Sequence, residues 1–428
     1  MKFTAAGDAL IQQNIPKDYK GFKEIKDFIS KGDARFFNLE TTLNEEGECF
    51  ASQFSGGTYI RTEPKVLEGL KDYGFNMVSF NNNHAMDFSY DGLLKTMEHI
   101  KASGLVQSGV GRNLDEASAP NYLDTAEGRV ALISVNATFE PSMMAGVQAR
   151  RVKGRPGING LRHKKTLTVT KSDFEVIKRI GLETGVNNEV LGDIKGGYLS
   201  PWEDDVYYID NVCFTVGDNA GLVTQVNEQD MARVQKAIFD AKLQADYILI
   251  SLHTHEMTGE TLENVPQFIE EFCHKCIDSG AHAIIGHGPH LLRGIEVYKE
   301  CPIFYSLGDF ILQLYSVAFG PHDFYQKYGL TSDVGMYTLL KTRSKDFKIG
   351  LMERNIMQEA IIPYWEMEDG KLTKLELIPI TCYKQNNKAV SGLPVVNFDA
   401  GIAERLATLC EPYGVSLELV DGVIRCNW

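Results

Sequence analysis

Short apolar runs alternate with amphipathic stretches through the first half of the chain. Lys2–Ala6 reads as a strand, Tyr19–Ser30 as a helix and Arg35–Leu39 as a strand. Pro64–Tyr73 reads as a helix with proline in its first turn, where a missing N–H costs nothing. Asn76–Phe80 predicts a strand, Tyr90–Ala102 a helix and Arg129–Val135 another strand. The pattern resumes with a helix over Glu228–Leu243, the strand Tyr247–Leu252, a helix over Val265–Asp278 and the strand Ala281–Ile285. Such alternation predicts a layered α/β fold.

From Gly294 the rhythm becomes β-rich. Gly294–Tyr298, Pro302–Ser306, Gly335–Thr342, Lys348–Arg354, Ala360–Trp365 and Leu372–Ile380 read as consecutive strands, with Asp369-Gly370 as a hairpin turn. A helix over Ala400–Cys410 and two short strands close the chain. No repeat, linker or low-complexity tract interrupts it. The expectation is a single domain over residues 1–428, with a core over 1–312 and C-terminal strands and a helix over 330–428 completing the fold. Residues 149–165 stand apart. Arg150, Arg151, Lys153, Arg155, Arg162, Lys164 and Lys165 lie there without an acid, among glycines and Pro156, and predict an inserted basic loop.

The 428 residues carry 43 Lys plus Arg against 57 Asp plus Glu, a net charge of −14. Ordinary globular content, 43% hydrophobic and 23% charged, excludes long disorder. The acidic balance argues against nucleic acid as a partner, which needs a broad positive surface. No apolar run approaches the ~20 residues of a membrane span. Met1–Asp8 lacks the apolar run of a signal peptide, and the eight cysteines are too scattered for a disulfide framework. A cytoplasmic location is therefore expected.

Candidate chemistry gathers where strands end. Five apolar runs lead into Gly7-Asp8, Asn38-Leu39-Glu40, Asn81-Asn82-Asn83-His84, His253-Thr254-His255-Glu256 and Gly286-His287-Gly288-Pro289-His290. Sites in open α/β sheets form beyond the carboxyl ends of strands. Each cluster alone has a plainer reading, as a turn, a cap or a structural histidine. Their joint occurrence points to a dinuclear metal site, whose oxygen and nitrogen donors suit Mn, Fe or Zn.

These motifs, with Tyr305-Ser306-Leu307-Gly308-Asp309-Phe310, resemble the CapA/PgsA family of bacterial capsule and poly-γ-glutamate synthesis proteins. The resemblance runs from Met1 to about Phe310. That family is similar to the calcineurin-like metallophosphoesterases, which implies a four-layer αββα sandwich with a β-rich C-terminal part and two divalent metal ions. By this resemblance Asp8 and His290 would bind the first ion, Glu40 would bridge, and Asn83, His253 and His287 would bind the second. His84 would sit beside the substrate rather than on a metal, as the catalytic residue that stabilises developing charge or protonates a leaving group. The wider superfamily often carries Asp-x-His in its first motif, whereas this chain has Asp8-Ala9-Leu10. Asp309, where the family more often has Asn, is a possible compensation.

The implied function is a metal-dependent phosphoesterase-like hydrolase acting on an anionic small-molecule or polymer substrate. Water held between two such ions is acidified towards hydroxide and can attack phosphorus. Two alternatives stay open: a non-catalytic accessory of capsule or poly-γ-glutamate synthesis, and an amide hydrolase acting on γ-glutamyl links. Arg61 resembles an anion-binding family arginine, and a surface salt bridge is an equal reading. Arg155, in the basic run, would contact substrate if that run is a lid rather than a solvated loop. His255, two residues after His253, is a substrate or outer contact. Cys273 and Cys276 lack a second pair and read as packed thiols on a helix.

Overall fold

The computed structural model describes residues 1–385 and 387–428. Two sheets face each other. The first has the order Ser416–Val420, Val423–Asn427, Lys371–Thr381, Glu359–Glu368, Lys2–Leu10, Ala34–Leu39, Met77–Ser79 and Val106–Ser108. Its first-half strands are parallel, whereas Glu359–Glu368 runs antiparallel to Lys2–Leu10. The second sheet has the order Ile295–Tyr298, Cys301–Phe304, Ala283–His287, Tyr247–His253, Gly128–Asn136 and Asn121–Thr125.

Side chains alternating along each strand divide the first sheet between two cores. Phe3, Ala5, Phe36 and Met77 join Leu132, Ile250 and Ile284 of the second sheet in one buried cluster. Ala6, Phe37 and Val78 belong to another, with Ile25 and Phe28 of the helix Phe22–Ile29 and Leu93 and Ile100 of the helix Ser89–Ser103. The helices Glu228–Lys242 and Gln267–Ser279 add Val234, Ile238, Phe268 and Phe272 to the core of the second sheet. Helix, sheet, sheet and helix thus stack as the expected αββα sandwich. Full burial of each large apolar side chain contributes ~1.5–3 kcal/mol, which drives this layering.

The C-terminal strands belong to the same body. Glu359–Glu368 and Lys371–Thr381 form a long hairpin whose turn residues Asp369 and Gly370 have φ of 51° and 77°, as the sequence pair predicts. Buried Trp365 stacks on Phe3, with ring centroids 5.1 Å apart. Among the described residues, no helix is long and apolar enough to cross a membrane.

Several expectations need correction. Gly335–Thr342 is not a strand; Met336–Arg343 is a helix, because Met336, Leu339 and Leu340 follow a helical period into a cluster with Tyr59 and Phe88. Lys348–Arg354 holds only the short 3-10 turn Leu351–Glu353, entered through Gly350 at φ 118°. The basic stretch is a loop only in part: Gly157–Ile158 pairs with Val110–Gly111, and Lys164 and Lys165 lie on the strand His163–Val169. That strand belongs to a further sheet with Val206–Ile209, Val212–Val216 and Gly221–Val226, accompanied by the helices Lys171–Thr184 and Asn188–Lys195. The sequence reading did not anticipate this unit. The first strand also runs on through Asp8 to Leu10 rather than ending before Gly7.

Candidate metal centre

The site grows from the carboxyl ends of both sheets. Pairing of Lys2–Leu10 with Ala34–Leu39 shifts register between Ala5 and Asp8. A Cβ at Gly7 would strike the carbonyl of Gly308, so glycine there lets the strand Asp309–Leu312 close against the first strand. The Asp8 N–H then donates to the Gly308 carbonyl at 3.2 Å, and Asp8 and Asp309 stand side by side in register. On the second sheet His253 and His287 end neighbouring parallel strands, also in register. Gly288, at φ 122°, and His290, at φ 59°, turn the chain so that His290 joins the same cluster.

Six of the expected ligands and two further residues converge. Donor atoms of Asp8, His253 and His287 lie within 4.8 Å of one another, as do those of Glu40, His253 and His255, and those of Asp8, Glu40, His290 and Asp309. Asp8 and Glu40 each belong to two of these groups, the placement a shared ligand requires. Asn83 Oδ1 lies 2.8 Å from His253 Nε2. His253 Nδ1 and His287 Nδ1 face each other at 2.9 Å, and Ser251 Oγ holds the other nitrogen of His287 at 2.8 Å. Asp8 is fixed by Asn38 Nδ2 at 2.7 Å and by the Gly288 N–H at 2.8 Å. Such outer contacts set the orientation of metal ligands.

The donor set fits metal ions. Glu40 is fully buried, yet among the described residues neither of its carboxylate oxygens has a hydrogen-bond partner, and buried Asp309 Oδ2 has none there either. Buried charge without a partner is strongly unfavourable, and cations at the cluster would remove that cost. Titration behaviour agrees. Burial, together with neighbouring Asp8 and Asp309, holds the Glu40 carboxyl well above the carboxylate range. Burial pushes Asp309 up to about 6, against the pull of His290. Burial also keeps His253 and His255 well below the usual histidine value, so their imidazoles are neutral and available as donors. Asp8 is lowered, because its hydrogen bond to His287 and the surrounding histidines outweigh burial.

His84 stands at the edge of this cluster. Its Nδ1 meets Asp87 Oδ2 at 2.7 Å, and its Nε2 lies 3.9 Å from Glu40 Oε1. Asp87 is itself held by the N–H groups of Gly56 and Ile60 at 3.1 and 2.8 Å. The Gly56 backbone covers the pair so closely that a Cβ there would lie 2.6 Å from Asn83 Nδ2 and 2.8 Å from His84 Nε2. Asp87 was missed as a functional residue, although it sits only three residues after His84 in the turns that precede the helix Ser89–Ser103.

Of the three residues expected to contact substrate, His255, read as a substrate or outer contact, joins the cluster beside Glu40 and His253. Arg61 donates to the Asn44 carbonyl at 2.7 Å and lies over the Phe319 ring at 4.6 Å. Arg155 donates to the Met144 carbonyl at 3.0 Å and lines a cavity with Phe139, Arg162 and His163. Neither arginine is in the metal cluster. Cys273 and Cys276 are buried core thiols, as expected.

Comparison with known proteins gives a consistent picture. The family model "Bacterial capsule synthesis protein PGA_cap" matches residues 2–314. An uncharacterized protein of Sinorhizobium fredii is 30% identical over 98% of this chain and 92% of its own length. The capsule biosynthesis protein CapA of Bacillus anthracis is 22% identical over 73% of this chain and 59% of its own length. A Mycobacterium tuberculosis protein named "Probable polyglutamine synthesis accessory protein" is 23% identical over 65% of this chain and 55% of its own length.

Proposed function

The chain belongs to the bacterial capsule synthesis family PGA_cap, and from that premise we propose that it is a metal-dependent, phosphoesterase-like hydrolase of an anionic small-molecule or polymer substrate. One observation carries the proposal. Buried, unpartnered carboxylate oxygens and neutral imidazoles converge beside a histidine that a buried aspartate orients.

Asp8, Glu40, Asn83, His253, His287 and His290 would hold two divalent ions of the Mn, Fe or Zn class, with His255 within reach. Ions held there would supply activation of water and neutralisation of charge on a phosphoryl or carbonyl group. The protein's own residues do the rest. Asp87 accepts a hydrogen bond from the Nδ1–H of His84, fixes the ring, and leaves Nε2 turned towards Glu40. With a proton at Nε2, His84 is placed to protonate a departing oxygen, and Asp87 stabilises the charged ring. The Gly56 backbone shields that nitrogen from bulk water on one side. Arg61 and Arg155 remain proposed anion contacts at the periphery, reaching only a substrate longer than the reacting group.

The test measures bound metal in wild type, Asp8→Ala and His253→Ala. Phosphomonoesters, phosphodiesters and γ-glutamyl peptides are then assayed side by side with wild type and His84→Ala. The expected result is two ions in wild type, fewer in both ligand variants, and a ~10²–10⁴-fold loss of turnover in His84→Ala with metal content unchanged. Cleavage of γ-glutamyl links alone would replace phosphorus by a carbonyl as the centre attacked. Absence of metal after supplementation would overturn the hydrolase reading. It would favour an accessory role in polymer synthesis, the reading suggested by the name of the mycobacterial relative.

A further inference from the structure

Resting on the metal reading above, we infer that Asp309 is itself a metal ligand, and that it makes the two halves of the centre chemically unlike. One half is oxygen-rich, built from Asp8, Glu40 and Asp309 with the single imidazole of His290. The other is nitrogen-rich, with His253 and His287 on Asp8, and His253 and His255 on Glu40.

The two oxygens of Asp309 have separate surroundings. Oδ1 lies 2.8 Å from His290 Nδ1, which fixes that ring and leaves Nε2 as its metal-binding nitrogen. Oδ2 is buried with no partner, on a residue 1% exposed. An outer carboxylate that only oriented His290 would not need its second oxygen stripped of water and hydrogen bonds. The backbone holds Asp309 in place. It pairs in register with Asp8, and its carbonyl accepts from the Cys382 thiol at 3.3 Å.

The first strand supplies no imidazole to this half. Leu10 packs instead into an apolar cluster with Ile60, Leu312, Met352 and Cys382. Asp309 fills the deficit from the neighbouring strand with a charged oxygen. Three carboxylates then carry −3 against +4 from two divalent ions, leaving a net positive centre for an anionic substrate. Oxygen donors favour hard ions such as Mn²⁺ or Mg²⁺, whereas imidazoles favour Zn²⁺ or Fe²⁺. A mixed pair follows, with the harder ion in the Asp309 half.

The experiment equilibrates metal-free protein with Zn²⁺ and a large excess of Mn²⁺, which offsets the generally tighter binding of Zn²⁺ to any one site, removes free ions, and counts each by mass spectrometry and Mn²⁺ paramagnetic resonance. Wild type is compared with Asp309→Asn, His290→Ala and the double variant. Asparagine keeps an oxygen that accepts from His290 Nδ1 and removes the charge. The expected result is one Mn²⁺ and one Zn²⁺ in wild type, and at least ~10-fold weaker Mn²⁺ binding with Zn²⁺ retained in Asp309→Asn. Retained Zn²⁺ also shows that the variant folds. Asp309→Asn must weaken Mn²⁺ binding further in the His290→Ala background. No further loss there means that Asp309 acts only through His290 and overturns the inference. Two Zn²⁺ and no Mn²⁺ in wild type overturns the mixed pair. A wild type that binds neither ion overturns the metal reading itself, a failure distinct from both.

Discussion

At His84 the chemistry depends on groups that reach it from two directions. Asp87 accepts from the imidazole and from two backbone N–H groups, so every side-chain lone pair facing the protein is used. In Asp87→Asn an amide NH₂ must face at least one of these donors. The expected loss is ~1–3 kcal/mol of stability in denaturant titration, with a large fall in turnover and unchanged metal content. Gly56→Ala tests the other side. Its methyl has no room between Asn83 and His84, so turnover falls and urea unfolding shows a loss of ~1–3 kcal/mol from the displaced loop. The residues of the cluster were legible in the sequence because each lies at or just beyond the end of an apolar run, and strand ends converge in this architecture. Arg61 and Arg155 were less so. Arg61 lies on a two-residue strand paired with Thr42–Leu43 and Arg155 on a loop, segments too short or irregular for a periodicity to encode their direction in space.

Among elements, the inserted sheet is anchored at one carboxylate. Buried Asp230, at the start of the helix Glu228–Lys242, accepts from Arg162 Nε and Nη2 at 2.8 and 2.9 Å and from Arg233 Nη1 at 2.6 Å. Arg162 directly precedes the strand His163–Val169, so the contact joins that sheet to the sandwich. Burial raises the Asp230 carboxyl, but the hydrogen bonds from Arg162 and Arg233 outweigh it and lower the pKa. A carboxyl lowered in the folded state stabilises above its unfolded pKa of ~3.9 and loses that contribution as pH falls further. Asp230→Asn is therefore expected to cost ~2–3 kcal/mol at neutral pH, with the gap to wild type narrowing below about pH 4 in chemical denaturation. The main layers were legible from strand–helix alternation. The inserted unit was not, because its strands are short and half exposed; the apolar runs Val206–Ile209 and Val212–Val216 on either side of Asp210-Asn211 were a hairpin signal left unread. Met336–Arg343 was misread because eight residues fit both periods until Tyr59 and Phe88 fix the buried face.

For the whole molecule, the buried carboxylates make stability depend on metal and pH together. Raised folded-state pKa values at Glu40 and Asp309 mean that these two carboxyls bind more protons in the metal-free fold than in the unfolded chain. Their contribution to stability therefore falls as pH rises above ~4, and for Asp309 that fall is complete above about pH 6. Bound cations remove the penalty and need not displace protons at high pH. The rise in Tm on adding Mn²⁺ or Zn²⁺ is expected to be larger at pH 7.5 than at pH 5.5, measurable by scanning calorimetry. Strand order has a further consequence, for how the chain is made. The Met1 amine donates to the carbonyl of Met367, 366 positions away, and Lys2–Leu10 is flanked by an early strand on one side and a late one on the other. On the ribosome, the central strand must wait with one edge open until nearly the whole chain has emerged. Local helices and the Ala34–Leu39 pairing form early; the candidate centre, whose residues run from Asp8 to Asp309, can close only once Asp309 has emerged. A nascent chain stalled before Glu359 presents an unsatisfied β-edge to other chains, so the span that builds this site also sets its window of vulnerability to aggregation.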